Sequence, residues 1–557
     1  MSPTNDAVVV GAGHQGLAAA VTLARAGWSV LVLEAAPHPG GALQSGELTL
    51  PGYVHDLFAT NLNLFLASRF YAEHAAGLER HGFAAARTKY PFASAFPDAS
   101  ALGVTTDLSD TLSGLAALEP RDATGWGELY ALFGRVAPTL FRLYAARAPS
   151  MAMWRVLVSS ALRLKLQGAG ELARLLASSC RELLDAHLAS DKAKALVAPW
   201  GLHLDLGPDV AGGAVFPFLE TFADQEGGMS IASGGASRLT DAMATLLSEL
   251  GGRLRTSARV TRVLTTGGRA TGVELASGER IWARRAILAS VTPTKLASLL
   301  AGHELAPPLR RSLEGYAFGP ATMMLHLACR APLPWAAGEW LGRFAYVHLA
   351  PYLDDLARTY ADALAGSLPA EPLLVVGQTS AVDPTRAPAG RHVVWVQVRA
   401  LPRRILLDPA GELGGRSWDE AAEVYAERVL AKLERYAPGA SRVVEARAVL
   451  SPAELERRDE NLVGGDSISG SMHLRQSFLL RPAPGMSAGR TPVSGLWLIG
   501  AGIWPGPGLN AVSGYEVARA LSRRPARGRA LARRATRGPA TIAGQSPAAP
   551  GRQAGGG

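Results

Sequence analysis

Apolar positions fall into blocks of different spacing along the chain. Residues 7–10 form a short run of the fully buried type, and residues 11–16 are glycine-rich. Residues 17–26 then carry helical spacing that stops at Gly27, and residues 29–33 are a second short apolar run. Strand, helix and strand in that order make a β-α-β unit. Residues 115–198 read as helical: MAMWRVLVSSALRLKLQGAGELARLLASSCRELLDAHL has apolar residues three and four apart, broken by basic ones. After residue 227 a glycine-rich turn leads into a helix at 236–250, then into the short β-type runs RLRTSARVTRVLT, ATGVELA, RIWA and RAILAS. PLLVVGQTS and HVVWVQVRA are strand-like, and SWDEAAEVYAERVLAKLERYAP is an amphipathic helix. Residues 496–499 read as a strand, followed by GAG, GPG and a last helix to about Leu521. No internal repeat is present.

The chemistry begins in VVVGAGHQGLAAAVTLARAGWSVLVLEAAPHPGG. Gly11 permits a tight turn out of the first strand, Gly13 lets the backbone approach a pyrophosphate, and Gly16 lets the helix pack close on the sheet. The helix start offers phosphates its unpaired N–H groups and its positive dipole end. Glu34 closes the second strand 23 residues after Gly11. Its carboxylate is placed to accept hydrogen bonds from an adenosine ribose, and it would repel a 2′-phosphate. A lone G-x-G-x-x-G is weak. Inside a β-α-β unit with the acid at this distance it reads as a dinucleotide site, against the alternative of a glycine turn used for packing only. The GAGELA at residues 168–173 has no strand before it and is dismissed as a nucleotide loop.

Gly40 and Gly41 follow Glu34 closely. A paired glycine there resembles the extended FAD signature of the flavoprotein group of amine oxidases, protoporphyrinogen oxidases and carotenoid desaturases. The resemblance implies FAD, held in this part of the chain by Gly11, Gly13, His14, Gln15, Gly16, Glu34, Ala35, Gly40, Gly41 and Ala42. The stretch from GGMSIASGG to RAILAS resembles that group's returning portion of the FAD domain. There the residue matching Val260 contacts adenine through its backbone; the alternative is an ordinary buried valine. GLWLIGAGIWPGPGLNAVSGYEVARAL resembles the last strand and helix of phytoene desaturases, whose loop approaches the flavin ring and ribityl chain. Gly500, Ala501, Gly502, Pro505, Gly506, Gly508, Leu509 and Asn510 fall on that loop. The helix after it is expected to point a second N-terminus at the cofactor. PGYVHDLFATNLNLF and GGDSISGSMHLRQSFLLRP extend the likeness to residues 5–522. They look like bacterial relatives of phytoene desaturase, similar to the pyridine nucleotide-disulfide oxidoreductase domain-containing protein 2 family.

The implied fold is α/β: a discontinuous Rossmann-like FAD-binding domain of the GR2 type plus an α+β substrate domain. The first takes residues 1–75, 225–293 and 493–522. The second takes 76–224 and 294–492, with a helical insertion at about 115–200. The implied activity is that of an FAD-dependent oxidoreductase, a dehydrogenase or desaturase passing hydride from a largely apolar substrate to flavin. The alternatives are an amine-oxidase-like flavoenzyme, a reduced-flavin isomerase, and an FAD-holding binding protein with little catalysis. No second strand-bound G-x-G-x-x-G is present, so no NADPH-reducing domain is expected. The electron acceptor (oxygen, a quinone or a carrier) is left open.

Catalytic candidates are fewer. Relatives commonly carry histidine at the positions of Trp504 and Ser469, so acid–base help from there is in doubt. Trp504 is expected to line the substrate side of the flavin as an apolar wall. His55 with Asp56, and His473, are further candidates; each also fits a structural role. Arg475 or Arg481 could bind a carboxylate or the flavin phosphates. His203 and Asp205 could face the substrate cavity.

Composition narrows the classes. At 557 residues and 48% hydrophobic, the chain can bury a large core in more than one domain. The net charge of +9 sits in the tail: residues 521–557 hold eight arginines and no acid, leaving 48 basic against 47 acidic residues in the body. The body therefore has no nucleic-acid footprint. The tail, residues 523–557, is expected to be disordered; if it has a role, its charge points to peripheral contact with an anionic membrane surface. Cys180 and Cys329 form no Cys-x-x-Cys, so dithiol chemistry is not expected. No His-x-x-x-His or acidic cluster suggests a metal. No secretory signal or bilayer-length apolar run is visible, and a cytoplasmic location is expected.

Overall fold

The computed structural model describes residues 5–302, 305–349 and 351–523. The arginine-rich tail, and its expected disorder, lie outside the described residues from 524 onward.

The first short apolar run forms the strand Asn5–Val10 at the centre of a seven-stranded sheet. It pairs in parallel with Val30–Leu33 on one side and with Arg280–Ala289 on the other. Such a strand is covered on both faces, which is why it reads as continuously apolar. Arg253–Arg255 extends the sheet beyond Val30–Leu33. Arg280–Ala289 joins two kinds of pairing. Its first half closes an antiparallel meander with Val260–Thr266 and Arg269–Leu275; its second half takes Leu496–Leu498 in parallel. The runs RIWA and RAILAS are thus one strand. The strands of this sheet come from three separated stretches of the chain.

The helix His14–Arg25 is alanine-rich and buried along most of its length. It packs between Val512–Ser522 and Ser237–Glu249. A Cβ on Gly16 would collide with the carbonyl oxygen of Gly11, so only glycine lets this helix start so close to the loop.

A second seven-stranded sheet runs in the order Val444–Leu450, Ala321–Cys329, His392–Leu401, Leu373–Gly377, Tyr346–Leu349, Phe92–Ala95 and Ala101–Val104. All nine residues of Ala321–Cys329 are buried. Periodicity does not distinguish such a run from a buried helix, so this strand gave no distinct pattern. The helix Trp418–Tyr436 starts at a capping box in which Ser417 and Glu420 satisfy each other's backbone N–H groups. It packs on this sheet's core.

The helical region resolves into Pro120–Tyr144, Met151–Ala177, Cys180–His187 and Asp191–Val197. Ser150, Ser179 and Ser190 cap three of these starts by accepting from the backbone. GAGELA lies inside Met151–Ala177, away from any strand. Both cysteines are buried and free. Among the described residues no helix is long and apolar enough to cross a membrane.

Candidate functional site

A deep cleft opens where the loop after Asn5–Val10 meets the loop after Leu496–Leu498. It holds about 1610 Å³ of unfilled space, counted out to its open mouth. One end is backbone-rich. Gly13, His14, Gln15, Gly41 and Ala42 line it, with Gly500, Ala501, Gly502, Gly508 and Leu509 from the late loop. Gly13 sits at the N-cap of His14–Arg25 with no side-chain cap, and the first turn holds no acid. The unpaired N–H groups of that turn are a ready anion site. Gly41, at φ 56°, comes so close that its Cβ would lie 3.2 Å from the Gly13 Cα. Two bare backbones thus form a cradle that a side chain would fill. His14 Nε2 is buried with no partner; burial lowers the ring's pKa to about 4, so it is neutral. These features fit a dinucleotide pyrophosphate.

Glu34 ends Val30–Leu33, and its carboxylate accepts from Ala12 N–H at 2.6 Å and Ala36 N–H at 2.9 Å. It therefore fixes the glycine loop, and it does not itself line the cleft. Asp459 lines the same cleft, and burial raises its pKa to about 6, with Glu34's charge adding to the effect. Gly40 donates to Ala12 O at 3.1 Å and pairs with Gly13 as an isolated bridge. Ala35 is exposed. Gly11 and Gly16 pack behind the loop and do not line the cleft. Val260 is buried in the core of the first sheet and does not line the cleft either.

At the start of the last helix, the N–H groups of Val512 and Gly514 are taken inside the protein. Gln15 Oε1 accepts from Gly514 N–H at 2.9 Å and from Ser513 Oγ at 3.0 Å, while Gln15 Nε2 donates to Asn510 Oδ1 at 3.0 Å. Val512 N–H is capped by Asn510 Oδ1 at 2.9 Å. Gln15 and Asn510 close the two ends of the chain together, and Asn510 does not line the cleft.

Trp504 does not line the cleft. Its indole N–H donates to the carbonyls of Leu143 and Ala146 at 3.3 and 3.0 Å, and its ring meets Phe478 edge-on at 4.9 Å. The carbonyls around the end of Pro120–Tyr144 suit a half-buried indole N–H, Leu143 O accepting from Ala146 N–H at 3.1 Å as well. The ring lies with Ala146, Ala148 and Met153, away from the cleft lining.

The other sequence candidates also resolve into structural roles. His55 is fully buried, with Nε2 on Thr49 Oγ1 at 2.8 Å and its ring against His326. Asp56, equally buried, pairs with Arg386 at 2.9 Å. Neither lines the cleft. His473 Nε2 is bound to Tyr360 OH at 3.0 Å and Asp205 O at 2.9 Å, behind the cleft wall. Arg475 is exposed. Arg481 is fully buried and donates to the carbonyls of Ala501, Ser471 and Gly470, so it shapes the late loop and is not aimed at a substrate carboxylate. Among the described residues no cluster could hold a metal.

His203 does reach the cleft. Its Nδ1 accepts from Arg399 Nη2 at 3.2 Å, which leaves Nε2 as the N–H donor, buried and unpartnered. Burial first, then the positive Arg399, push the imidazole well below its usual pKa and keep it neutral. Arg399 also donates to Gln397 Oε1 at 2.7 Å and Ser467 Oγ at 2.9 Å. Burial lowers its pKa to about 10. An arginine inside the buried run HVVWVQVRA was the available sequence signal, since buried charge is retained where it is paired. Trp200, Tyr346 and Trp395 complete an aromatic wall. Glu220, from VFPFLETFADQEG, also lines the cleft and was missed.

Comparison with known proteins follows the same lines. The model of flavin containing amine oxidoreductases matches residues 16–396. The chain is similar to pyridine nucleotide-disulfide oxidoreductase domain-containing protein 2 of Rattus norvegicus, 28% identical over 94% of both chains. It is also similar to a phytoene dehydrogenase of Streptomyces griseus, 29% identical over 92% of this chain and 93% of the other. Among solved structures, an oxidoreductase from Methanosarcina mazei superposes with a TM-score of 0.59 at 17% identity, covering 93% of this chain and 100% of that one. That last likeness is one of fold.

Proposed function

We propose, from the premise that the chain belongs to the flavin containing amine oxidoreductase family, that it dehydrogenates a largely apolar small molecule. The chain is an FAD-dependent oxidoreductase. The observation that carries the finer reading is the cleft wall beyond the backbone-rich end: Leu64, Trp200, Leu204, Phe216, Met324 and Trp395 line it. An apolar site with a few placed polar groups orients a substrate by shape and burial. The phytoene dehydrogenase relative, by its name, acts on a hydrocarbon.

In this reading Gly13, His14, Gln15, Gly41 and Ala42 hold the pyrophosphate end of FAD, and Glu34 takes the ribose. Gly500, Ala501, Gly502, Gly508 and Leu509 hold the flavin end. The first sheet and its helices, from 1–75, 225–293 and 493–522, make the FAD domain; 76–224 and 294–492 make the substrate domain. FAD, when bound, supplies the hydride acceptor. The chain's own side chains exclude water, orient the substrate by the shape of the apolar wall, and offer a fixed donor, His203 Nε2–H.

The test is an anaerobic titration of the holoenzyme with phytoene and, as the rival class, with benzylamine and other primary amines. Loss of oxidised-flavin absorbance with phytoene alone supports the reading. Loss with amines alone assigns the chain to amine oxidation, and a flavin that stays oxidised throughout points to a binding protein.

A further inference from the structure

The cleft continues into a second chamber of about 1500 Å³, counted the same way. Leu64, Leu204, Phe216, Glu220 and Pro507 line both spaces. Two carboxyls interrupt the apolar wall. Glu220 and Asp224 are four residues apart on the helix Val215–Gly227 and so share a face. Each has one oxygen pinned by an amide. Asn61 Nδ2 donates to Glu220 Oε1 at 3.1 Å, and Asn63 Nδ2 donates to Asp224 Oδ1 at 2.9 Å. The amides are themselves fixed: Asn61 Oδ1 accepts from Asn63 N–H at 2.9 Å, and Asn63 Oδ1 from Ser230 N–H at 3.0 Å.

The other two oxygens are free. Asp224 is 1% exposed, and its Oδ2 is buried with no partner. Glu220 Oε2 makes no hydrogen bond among the described residues, and its side chain reaches the cleft. Neither carboxyl has an ion-pair partner among the described residues. The titratable groups facing them are Tyr144 from Pro120–Tyr144, Tyr346 from Tyr346–Leu349, and Tyr71 and the exposed Arg87 on the chamber side. Burial raises the pKa of Tyr144 and Tyr346, so both are neutral.

We propose that Glu220 and Asp224 form one proton-holding pair, and that Glu220 Oε2 is the catalytic base that takes the proton released as the substrate is dehydrogenated. The proposal rests on the dehydrogenation reading above. In the step, one substrate C–H bond breaks with both electrons, which leave as hydride to the flavin. The neighbouring C–H bond breaks toward Glu220 Oε2, and its electron pair becomes the new C=C π bond. The carboxylate becomes a carboxylic acid. Asp224 is a positioning residue. Two carboxylates in a dry site do not both ionise, so Asp224 keeps a proton and Glu220 serves as a base near neutral pH. Burial raises the Glu220 pKa to about 7, and burial followed by the charge of Glu220 raises that of Asp224 well above its usual value.

The experiment takes the FAD-loaded wild type, Glu220→Gln, Glu220→Asp and Asp224→Asn, each first checked for FAD content. An infrared titration from about pH 5 to pH 9 should show a buried protonated carboxyl that ionises near neutral pH. The signal should vanish in Glu220→Gln and stay near neutral pH in Asp224→Asn, whose amide stands in for the protonated Asp224. A titration identical in Glu220→Gln and wild type overturns the pair. In anaerobic reduction by phytoene, Glu220→Gln should slow the wild-type rate by about 100-fold or more. Glu220→Asp should restore part of it, and Asp224→Asn should leave the pH profile at its wild-type position. Wild-type rate in Glu220→Gln overturns the base. Phytoene that leaves the wild-type flavin oxidised strikes the dehydrogenation reading, while the infrared titration upholds or overturns the pair on its own.

Discussion

Replacing Arg386 by Met should destabilise the protein far more than it disturbs flavin chemistry. The guanidinium is fully buried and holds Asp56 by Nη1 at 2.9 Å and Nη2 at 3.1 Å, Asp383 by Nε at 3.0 Å, and Ala232 O at 2.7 Å. Asp56 also accepts from Ser45 Oγ and Ala236 N–H, each at 2.7 Å, and Asp383 accepts from Gly234 N–H at 2.7 Å. The network therefore ties residues 45–56 and 232–236 to 383–386. Removing one partner of a buried pair costs about 3–5 kcal/mol, because the other charge stays buried and uncompensated. Two donors remain on Asp56, which puts the expected cost of Arg386→Met near the lower end, about 3 kcal/mol. Arg386→Met/Asp56→Asn removes the stranded charge and should recover about 1–3 kcal/mol of that. The assay is denaturant unfolding of the three proteins. A cost below about 1 kcal/mol for Arg386→Met, or no recovery in the double variant, would refute the reasoning.

Three further outcomes follow from the same geometry. Trp504→Ala should cost about 3 kcal/mol in unfolding free energy through lost packing against Phe478 and Met153, while FAD content measured by absorbance stays at the wild-type level; loss of FAD with unchanged stability would contradict the reassignment of this residue. In the apoprotein, Asp459→Asn should be more stable than wild type above about pH 6 and equal to it near pH 4, read as melting temperature against pH. The sign follows from the raised pKa, since the folded state holds a proton the unfolded chain has lost, and stability falls as pH rises through about 6. Glu34→Ala should weaken FAD retention by about 1.5–3 kcal/mol, measured by dialysis against apoprotein; full retention would show that its bonds to Ala12 and Ala36 are dispensable.

The parts of the fold legible in the sequence were those set by neighbours in the chain. The glycine loop, the helix behind it and Glu34 read directly, because turn, helix start and strand end all lie within 35 residues of one another. The amphipathic helix that starts after Ser417 and the apolar strands of the first sheet read for the same reason. What depended on distant partners did not read. Gln15 looks like one more loop residue, yet its amide groups are spent on Asn510, Ser513 and Gly514, almost 500 residues on. Trp504 lies on the expected loop, but its direction is set by two carbonyls at the end of another helix. Glu220 sits in an apolar helix whose face toward the cleft is known only once the helix is docked. His55 and Asp56 carry a catalytic look in one dimension; in three, a buried arginine from residue 386 claims the carboxylate.

The central claim is that the cleft dehydrogenates an apolar substrate. It is tested most directly by mass spectrometry of phytoene after one anaerobic turnover with the FAD-loaded protein. The account predicts that each bleached flavin is matched by one phytoene that has lost two hydrogens, one as hydride and one as a proton. Phytoene recovered at unchanged mass, or a flavin bleached by primary amines and not by phytoene, would contradict it.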